Sequence, residues 1–244
     1  MDSEAKLLSQ VKQKLSVYPH HELSPTLYPN NFRSSVCIIL RTTANNNNNQ
    51  RQVEVLFLKR TKRKGDPWSG DVCFPGGHHE EDETEQETCE RECYEEIGLN
   101  VKNTKKFEYL GRLTDIFVLW TPYIISTFVY LMKEGEENHT EIKLQEGEIA
   151  EYRWVPLNHF VNLDANPLNS PLMTRTETLR SRHVPAEKMM FPGVLLPSEK
   201  ENESEDDEFL VWGLTLSILD KFLYVTNINL TLNCLPIWLH RSNL

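Results

Sequence analysis

Three glutamates, Glu92, Glu95 and Glu96, stand three and four positions apart at the end of an acidic run. Residues at those spacings share one side of an α-helix, so the three carboxylates project from neighbouring parts of one face. Like charges held that close repel each other and favour protonation. A hard divalent cation bound through oxygen ligands resolves the conflict, and Mg²⁺ or Mn²⁺ suits partly hydrated carboxylate sites. Ten of the chain's 36 acidic residues fall between Glu80 and Glu96, a density that reads as a cation sink rather than a solvated helix face. Arg91, four positions before Glu95, is spaced to brace it.

The helix that must carry these groups is written into the sequence around them. Thr84-Glu85-Gln86-Glu87 has the T-x-x-E pattern of a capping box, which predicts a helix from about Glu85 to Glu96 with Thr84 as N-cap. Gly98 stands where a helix C-terminal glycine belongs. Cys89, Cys93 and Ile97 recur every four residues and form a narrow buried stripe. Cys89 and Cys93 also have the i, i+4 spacing of soft-metal ligands, but with no third or fourth soft ligand nearby they read as core. His78-His79 beside Glu80-Glu81 reads as a mobile loop after Gly77 rather than as a metal cluster.

Gly77, five residues, Glu83, seven residues, Arg91-Glu92-Cys93, one residue, Glu95-Glu96, one residue and Gly98-Leu99 together resemble the Nudix box at every position. Cys93 stands where that family usually has a larger aliphatic, and cysteine serves there as a small apolar group. The resemblance implies an α/β fold, an α/β/α sandwich with a mixed β-sheet. It implies metal ligation by Glu92, Glu95 and Glu96, joined by the backbone near Gly76 and Gly77. It also implies that Glu83 and Arg91 support the loop–helix–loop. The activity it implies is metal-dependent hydrolysis of a pyrophosphate. The ion would neutralise the diphosphate, polarise phosphorus and supply an activated water. The general base is expected from one of these glutamates or from a downstream loop, where Glu146, Glu148 and Glu151 are candidates of equal standing.

Around this segment, Met1–Tyr18 is amphipathic, with Leu7, Leu8, Val11 and Leu15 at helical spacing. A Pro-rich lead-in, His20–Pro29, follows. Ser34–Leu40 and Gln52–Leu58 read as strands joined through the Asn45–Asn49 run as a long hairpin. Lys59–Lys64 is a basic cluster, Asp71–Phe74 a short strand that Pro75-Gly76-Gly77 breaks. Ile116–Met132 is long and almost uncharged, but Thr121-Pro122 and its β-branched residues favour two strands, about 116–120 and 123–132, over a membrane helix. Glu151–Val155 reads as a strand, Pro156 to about Leu163 as a short helix, Ser198–Glu208 as a disordered acidic loop, and Phe209–Leu223 as a helix with Leu210, Leu214, Ile218 and Phe222 on one face. Residues 165–198 are not assigned. The domain expectation is an N-terminal helix and lead-in at 1–29, a Nudix hydrolase domain at 30–223 and an unassigned tail at 224–244.

A second resemblance narrows the substrate. Arg60-Thr61 and Gly70–Gly77, then Phe191-Pro192 and Val211–Leu219, look like segments of coenzyme A diphosphatases. The departures are Thr61 where that type has a small residue, one extra residue before Gly70, and Asp66 where it has an arginine. Coenzyme A or its acyl thioesters are the favoured substrate. ADP-ribose, a dinucleotide, an oxidised nucleoside triphosphate or a non-catalytic nucleotide-binding module are the alternatives. The expected substrate contacts are Lys59, Arg60, Gly76 and Gly77, with the Lys59–Lys64 cluster able to meet extra phosphates.

Bulk composition bounds these readings. A net charge of -10 argues against nucleic acid and anionic membranes as partners, and the small nucleotide-diphosphate partner is what the resemblance implies. Five scattered cysteines without a C-x-x-C pair point to a reducing, intracellular compartment, as does an N-terminus without a signal peptide's apolar core. Ser242-Asn243-Leu244 is a distant variant of the peroxisomal S-K-L tripeptide, and cytosol, mitochondrion and peroxisome are not separated.

Overall fold

The computed structural model describes residues 3–28, 30–44, 51–66, 68–118, 122–133, 135, 140–160, 172–181, 184–197 and 208–228. A first helix, α1 (Ser3–Val17), leads into β1 (Phe32–Ala44), β2 (Arg51–Arg60), β3 (Val72–Cys73), β4 (Gly76–His78) and α2 (Glu85–Ile97). Strands β5 (Phe107–Phe117), β6 (Tyr123–Met132) and β7 (Ile149–Pro156) follow, then a 3-10 turn at Leu157–Phe160. Strands β8 (Leu172–Ser181), β9 (Val184–Leu195) and β10 (Leu210–Trp212) precede α3 (Gly213–Val225).

Seven strands make one sheet in the order β3-β2-β1-β6-β5, with β4 on β1 and β7 on β2. Strands β1 and β6 run parallel from Phe32↔Tyr123 to Leu40↔Leu131, and the other pairs are antiparallel. A second, antiparallel sheet has the order β10-β9-β8. The large sheet is mixed and covered on both faces, as the α/β/α expectation requires. One face packs Ile38, Leu40, Val55 and Phe57 against Val11 and Leu15 of α1 and Leu219 and Phe222 of α3. The other packs Cys37, Ile39, Leu56 and Leu58 against Cys89, Cys93 and Ile97 of α2.

Burial on both faces explains the apolar run at 116–132. Strand β6 sends Ile125, Val129 and Leu131 to the first core and Phe128, Tyr130 and Met132 to the second, so it needs no polar alternation. The earlier strand reaches back to Phe107 and ends at Phe117 rather than spanning 116–120. Among the described residues, no helix is long and apolar enough to cross a membrane.

Hydrogen-bonding partners locate the site. Strand β1 pairs with β2 only from Leu40 to Ala44, and its lower part, Ser34–Val36, pairs instead with β4. Strand β2 meanwhile takes β3 at Leu58 and Lys59. The two strands splay, and Phe74-Pro75 bridges the fork, with the Pro75 carbonyl accepting from Cys37 N–H at 2.8 Å. Pro75-Gly76-Gly77 therefore does more than break a strand: the two glycines re-enter the sheet.

Two other expectations change. Residues 209–223 are not one helix, because Leu210–Trp212 pairs with β9 before the chain turns at Gly213 (φ 56°). Its extended, β-branched and aromatic residues gain a ladder and a contact, with Trp212 Nε1 donating to Asp71 at 3.2 Å. The helix face shifts accordingly: Leu216, Ile218, Leu219, Phe222 and Leu223 are buried, while Leu214 is exposed. Within the unassigned stretch, residues 172–181 and 184–195 form the antiparallel strands β8 and β9. The Asn45–Asn49 run, residues 198–207 and the tail beyond Ile228 lie outside the described residues.

The lead-in segment is fastened by a buried ion pair. Arg112 donates to Asp115 at 2.8 Å and to Ser126 at 3.0 Å, and Asp115 accepts from the Leu23 backbone at 2.8 Å. Arg33 ties the same segment to α2, donating to the Leu23 carbonyl and to Glu85. Substituting Asp115→Ala removes the buried partner of Arg112 and leaves it, among the described residues, only the exposed Glu22 carboxylate at 3.0 Å as counter-charge, which should cost about 2 kcal/mol. Urea unfolding measures that loss, and limited proteolysis should show faster cleavage between His20 and Tyr28.

Candidate active site on helix α2

Local rules place the helix where the sequence predicts it. Thr84 accepts from Glu87 N–H, the Glu87 side chain answers to Thr84 N–H, and Gly98 closes the other end at φ 71°. Acidic Glu85 and Glu87 sit in the first turn, where the helix dipole favours them. Glu92, Glu95 and Glu96 fall at the opposite, negative end, and the last turn holds no basic residue. Carboxylates there are destabilised by the dipole as well as by each other, which a cation would relieve.

Arg91 answers part of that charge. Its guanidinium donates to Glu83 at 2.5 and 3.2 Å, to Glu92 at 3.0 Å, to Glu95 at 2.9 Å and to the His78 carbonyl at 3.0 Å. Hydrogen bonding to Arg91 is the main cause that holds the Glu83 carboxyl down at about 2, with Thr88 Oγ1 adding a further donor. Glu83 and Arg91 thus bind the loop ahead of the helix to the helix itself.

The three glutamates differ in burial. Glu96 is 3% exposed and accepts from Gly76 N–H at 3.0 Å, and desolvation pushes its carboxyl up to about 8. Glu92 is also raised, first by burial. The side chain of Glu95 is half exposed and turns toward Arg91. Glu92 and Glu96 are therefore the inward pair, with Glu95 beside them. Their oxygens are drawn to different donors, and among the described residues only three thiols form a closer group of metal-ligating atoms.

Both glycines are required by close approach. A Cβ on Gly77 would lie 2.3 Å from Glu92 Oε1, and one on Gly76 would lie 2.2 Å from the Ser35 carbonyl. Backbone and carboxylates thus meet without an intervening side chain. An all-oxygen set with one buried and one half-buried carboxylate, both reluctantly ionised, fits a hard divalent cation.

The basic cluster divides by strand alternation. Arg60 lies on the α2 side, where its charge acts on Glu96; one nitrogen donates to Asp66 at 3.0 Å. Buried Arg60 Nε finds no acceptor among the described residues. Lys59 points to the other face, donating to the Glu208 carbonyl at 2.9 Å and lying over the Phe209 ring. Arg63 is held by the Gly147 carbonyl and lies 3.7 Å from Glu148.

The loop after β6 reaches the site because α2 needs it. Lys143 and Gln145 backbone N–H groups donate to the Ile97 and Glu96 carbonyls, closing orphan acceptors at the helix end. Thr61 N–H then fixes the Glu148 carbonyl at 2.8 Å, and the Glu148 charge acts on Glu92. Glu151 is occupied by Arg153 instead. Long-range packing thus gives Glu148 and Glu151 different neighbours, which nothing in their local sequence foretold. His78 belongs to β4 rather than a mobile loop: its Nδ1 meets Ser34 Oγ at 2.9 Å, and its ring stacks on Tyr123 with centroids 5.6 Å apart. His79 continues the pairing, donating from its backbone to Arg33.

The raised Glu96 carboxyl fixes a pH dependence. A folded-state value of about 8 against an ordinary 4.5 means that the folded chain holds the extra proton between those limits. Its contribution to stability is complete below the ordinary value and is lost as pH rises through about 8. With EDTA present, the Tm of the wild type should fall across that window more steeply than that of Glu96→Gln. Added Mn²⁺ should raise the wild-type Tm more at pH 8 than at pH 6.

A NUDIX domain match spans residues 31–176, which contain the whole of this site. An uncharacterized protein of Schizosaccharomyces pombe is 28% identical over 109 residues, covering 42% of this chain; the chain spans only 32% of that protein's length. Among solved structures, a MutT/nudix family protein from Enterococcus faecalis gives a TM-score of 0.43 at 16% identity, covering 92% of this chain and 70% of its own. A C. elegans Ap4A hydrolase gives 0.39 at 17% identity, covering 52% and 81%. The NUDIX domain of Shewanella oneidensis NrtR, solved with ADP ribose, gives 0.39 at 18%, covering 65% and 86%. By its domain match over more than half its length, the chain belongs to the Nudix family.

Proposed function

We propose that this chain is a divalent-metal-dependent pyrophosphohydrolase of nucleoside-diphosphate-linked substrates, with coenzyme A or an acyl-CoA as the favoured substrate. The observation that carries the reading is the inward pair, half-buried Glu92 and buried Glu96, set against Gly76-Gly77 at the negative end of α2. Glu92, Glu95 and Glu96, with the Gly77 backbone, would hold Mg²⁺ or Mn²⁺, which supplies charge neutralisation of the diphosphate and a more acidic water.

The remaining steps belong to the protein. Arg60 offers its unmatched Nε–H to a phosphate oxygen on the same side as Glu96. Glu148, close enough to act on Glu92, accepts the proton of the attacking water. The bridging P–O bond then breaks and the phosphate leaves with the electron pair. Arg91 holds Glu83, Glu92 and Glu95 in register throughout.

Support for coenzyme A comes from the segments that resemble its diphosphatases. They are distant in sequence but touch here: Trp212 donates to Asp71, Thr215 Oγ1 donates to the Val72 carbonyl at 3.0 Å, and Phe191 meets Trp212 edge-on. Asp66, standing where that type has an arginine, weighs against it by taking a hydrogen bond from Arg60. A second reading, another nucleotide such as ADP-ribose or a dinucleotide, draws on an exposed ring cluster beside β4. Trp68 and Phe32, both more than half exposed, meet Tyr123, which stacks on His78; such a surface accepts any base.

A hydrolysis panel over coenzyme A, ADP-ribose, NADH and nucleoside triphosphates with Mg²⁺ or Mn²⁺ tests the reading. Release of 3′,5′-ADP and 4′-phosphopantetheine is the expected result, while turnover confined to another nucleotide would replace the coenzyme A assignment. Glu92→Gln and Glu95→Gln should abolish turnover in folded protein, and near-wild-type rates would displace the site. Glu148→Gln should lower kcat by roughly 10²–10⁴ with little change in KM if it is the base. A KM effect alone would make it a binding residue.

A further inference from the structure

A second ligand set, of opposite chemical character, lies behind the carboxylates. Cys89 and Cys93 face inward from α2 and Cys37 meets them from β1, with all three sulfurs within 4.8 Å of one another. Each residue is 0% exposed, in a core shared with Ile39, Leu56, Ile97 and Phe128. The i, i+4 cysteine pair thus acquires the third soft ligand that its own stretch of sequence lacks. Three thiols around one point suit a soft ion that takes sulfur, whereas the oxygen-lined centre suits a hard one.

Burial decides which soft ion. A complex with net charge in this apolar interior would carry a large desolvation cost. Zinc prefers four ligands in closed sites, and only three sulfurs converge among the described residues. Three thiolates around a divalent or monovalent ion would also keep a negative charge. A trivalent ion cancels all three. Bonds of ~2.3 Å, typical of a metal–thiolate, set three sulfurs around one ion at most ~4 Å apart, a spacing that lies within the 4.8 Å limit these sulfurs keep.

We propose that Cys37, Cys89 and Cys93 form a binding site for a trivalent thiophile of the arsenic(III) class, held as a neutral three-sulfur complex. Arsenous acid forms three As–S bonds while its three hydroxyls leave as water, each with one thiol proton. No oxidation state changes and no further reactant is needed. The complex staples α2 to β1 without using any carboxylate of the catalytic face. Because the sulfurs have no solvent exposure, uptake waits on local opening of α2 from the sheet and is therefore slow.

The test is incubation of the full chain with arsenite, followed by native mass spectrometry and arsenic X-ray absorption. The expected product carries one arsenic in place of three hydrogens, shows three sulfur neighbours and no oxygen, and melts at a higher temperature. Sub-denaturing urea should speed its formation. Cys37→Val and Cys93→Val should lose the adduct, and Cys73→Ser should keep it. Should the valine variants not fold, the wild-type absorption spectrum decides alone, since an oxygen neighbour or only two sulfurs overturns the proposal. Absence of any adduct even in urea overturns it, as does preferential filling of these three thiols by zinc.

Discussion

Repulsion among the carboxylates at the C-terminal end of α2 is the constraint around which the rest is arranged. Helix geometry puts Glu92 and Glu96 on one side, and the helix dipole makes that end the wrong place for negative charge. The fold adds burial, which raises both groups further. Several devices keep the arrangement standing. The capping box and Gly98 fix the helix ends, Arg91 distributes five hydrogen bonds over three glutamates and a carbonyl, and Gly76 donates its N–H to Glu96. A centre under such electrostatic load is one that the proposed cation would relieve.

Local signals were legible where the physics is local. Thr84 and Gly98 bounded α2 correctly because caps depend on a few neighbouring residues. The stripe of Cys89, Cys93 and Ile97 faces the core for the same reason. The α/β/α architecture came from the Nudix-box resemblance, and the two covered faces of the sheet agree with it.

What was not legible depends on contacts between distant parts of the chain. Trp212 joins a strand because β9 offers an edge and Asp71 an acceptor, neither visible from residues 209–223 alone. Lys59 and Arg60 differ by one position in a basic run, yet strand alternation sends them to opposite faces, and only Arg60 faces the carboxylates. Glu148 comes within reach of Glu92 because Lys143 and Gln145 cap the last carbonyls of α2 and Thr61 holds the Glu148 carbonyl. Cys37 is the same lesson in the core: a third sulfur came from a strand far upstream.

The parallel pairing of β1 with β6 has a bearing on biosynthesis. Val36 to Leu40 must wait for Thr127 to Leu131, so as the chain leaves the ribosome an apolar strand emerges long before its neighbour exists. Strand β2 can cover only one edge of β1, and only from Leu40 onward. The open edge is an aggregation hazard until β6 arrives. Chains stalled or truncated before Met132 would present that hazard permanently, and a chaperone that holds β1 during synthesis would relieve it.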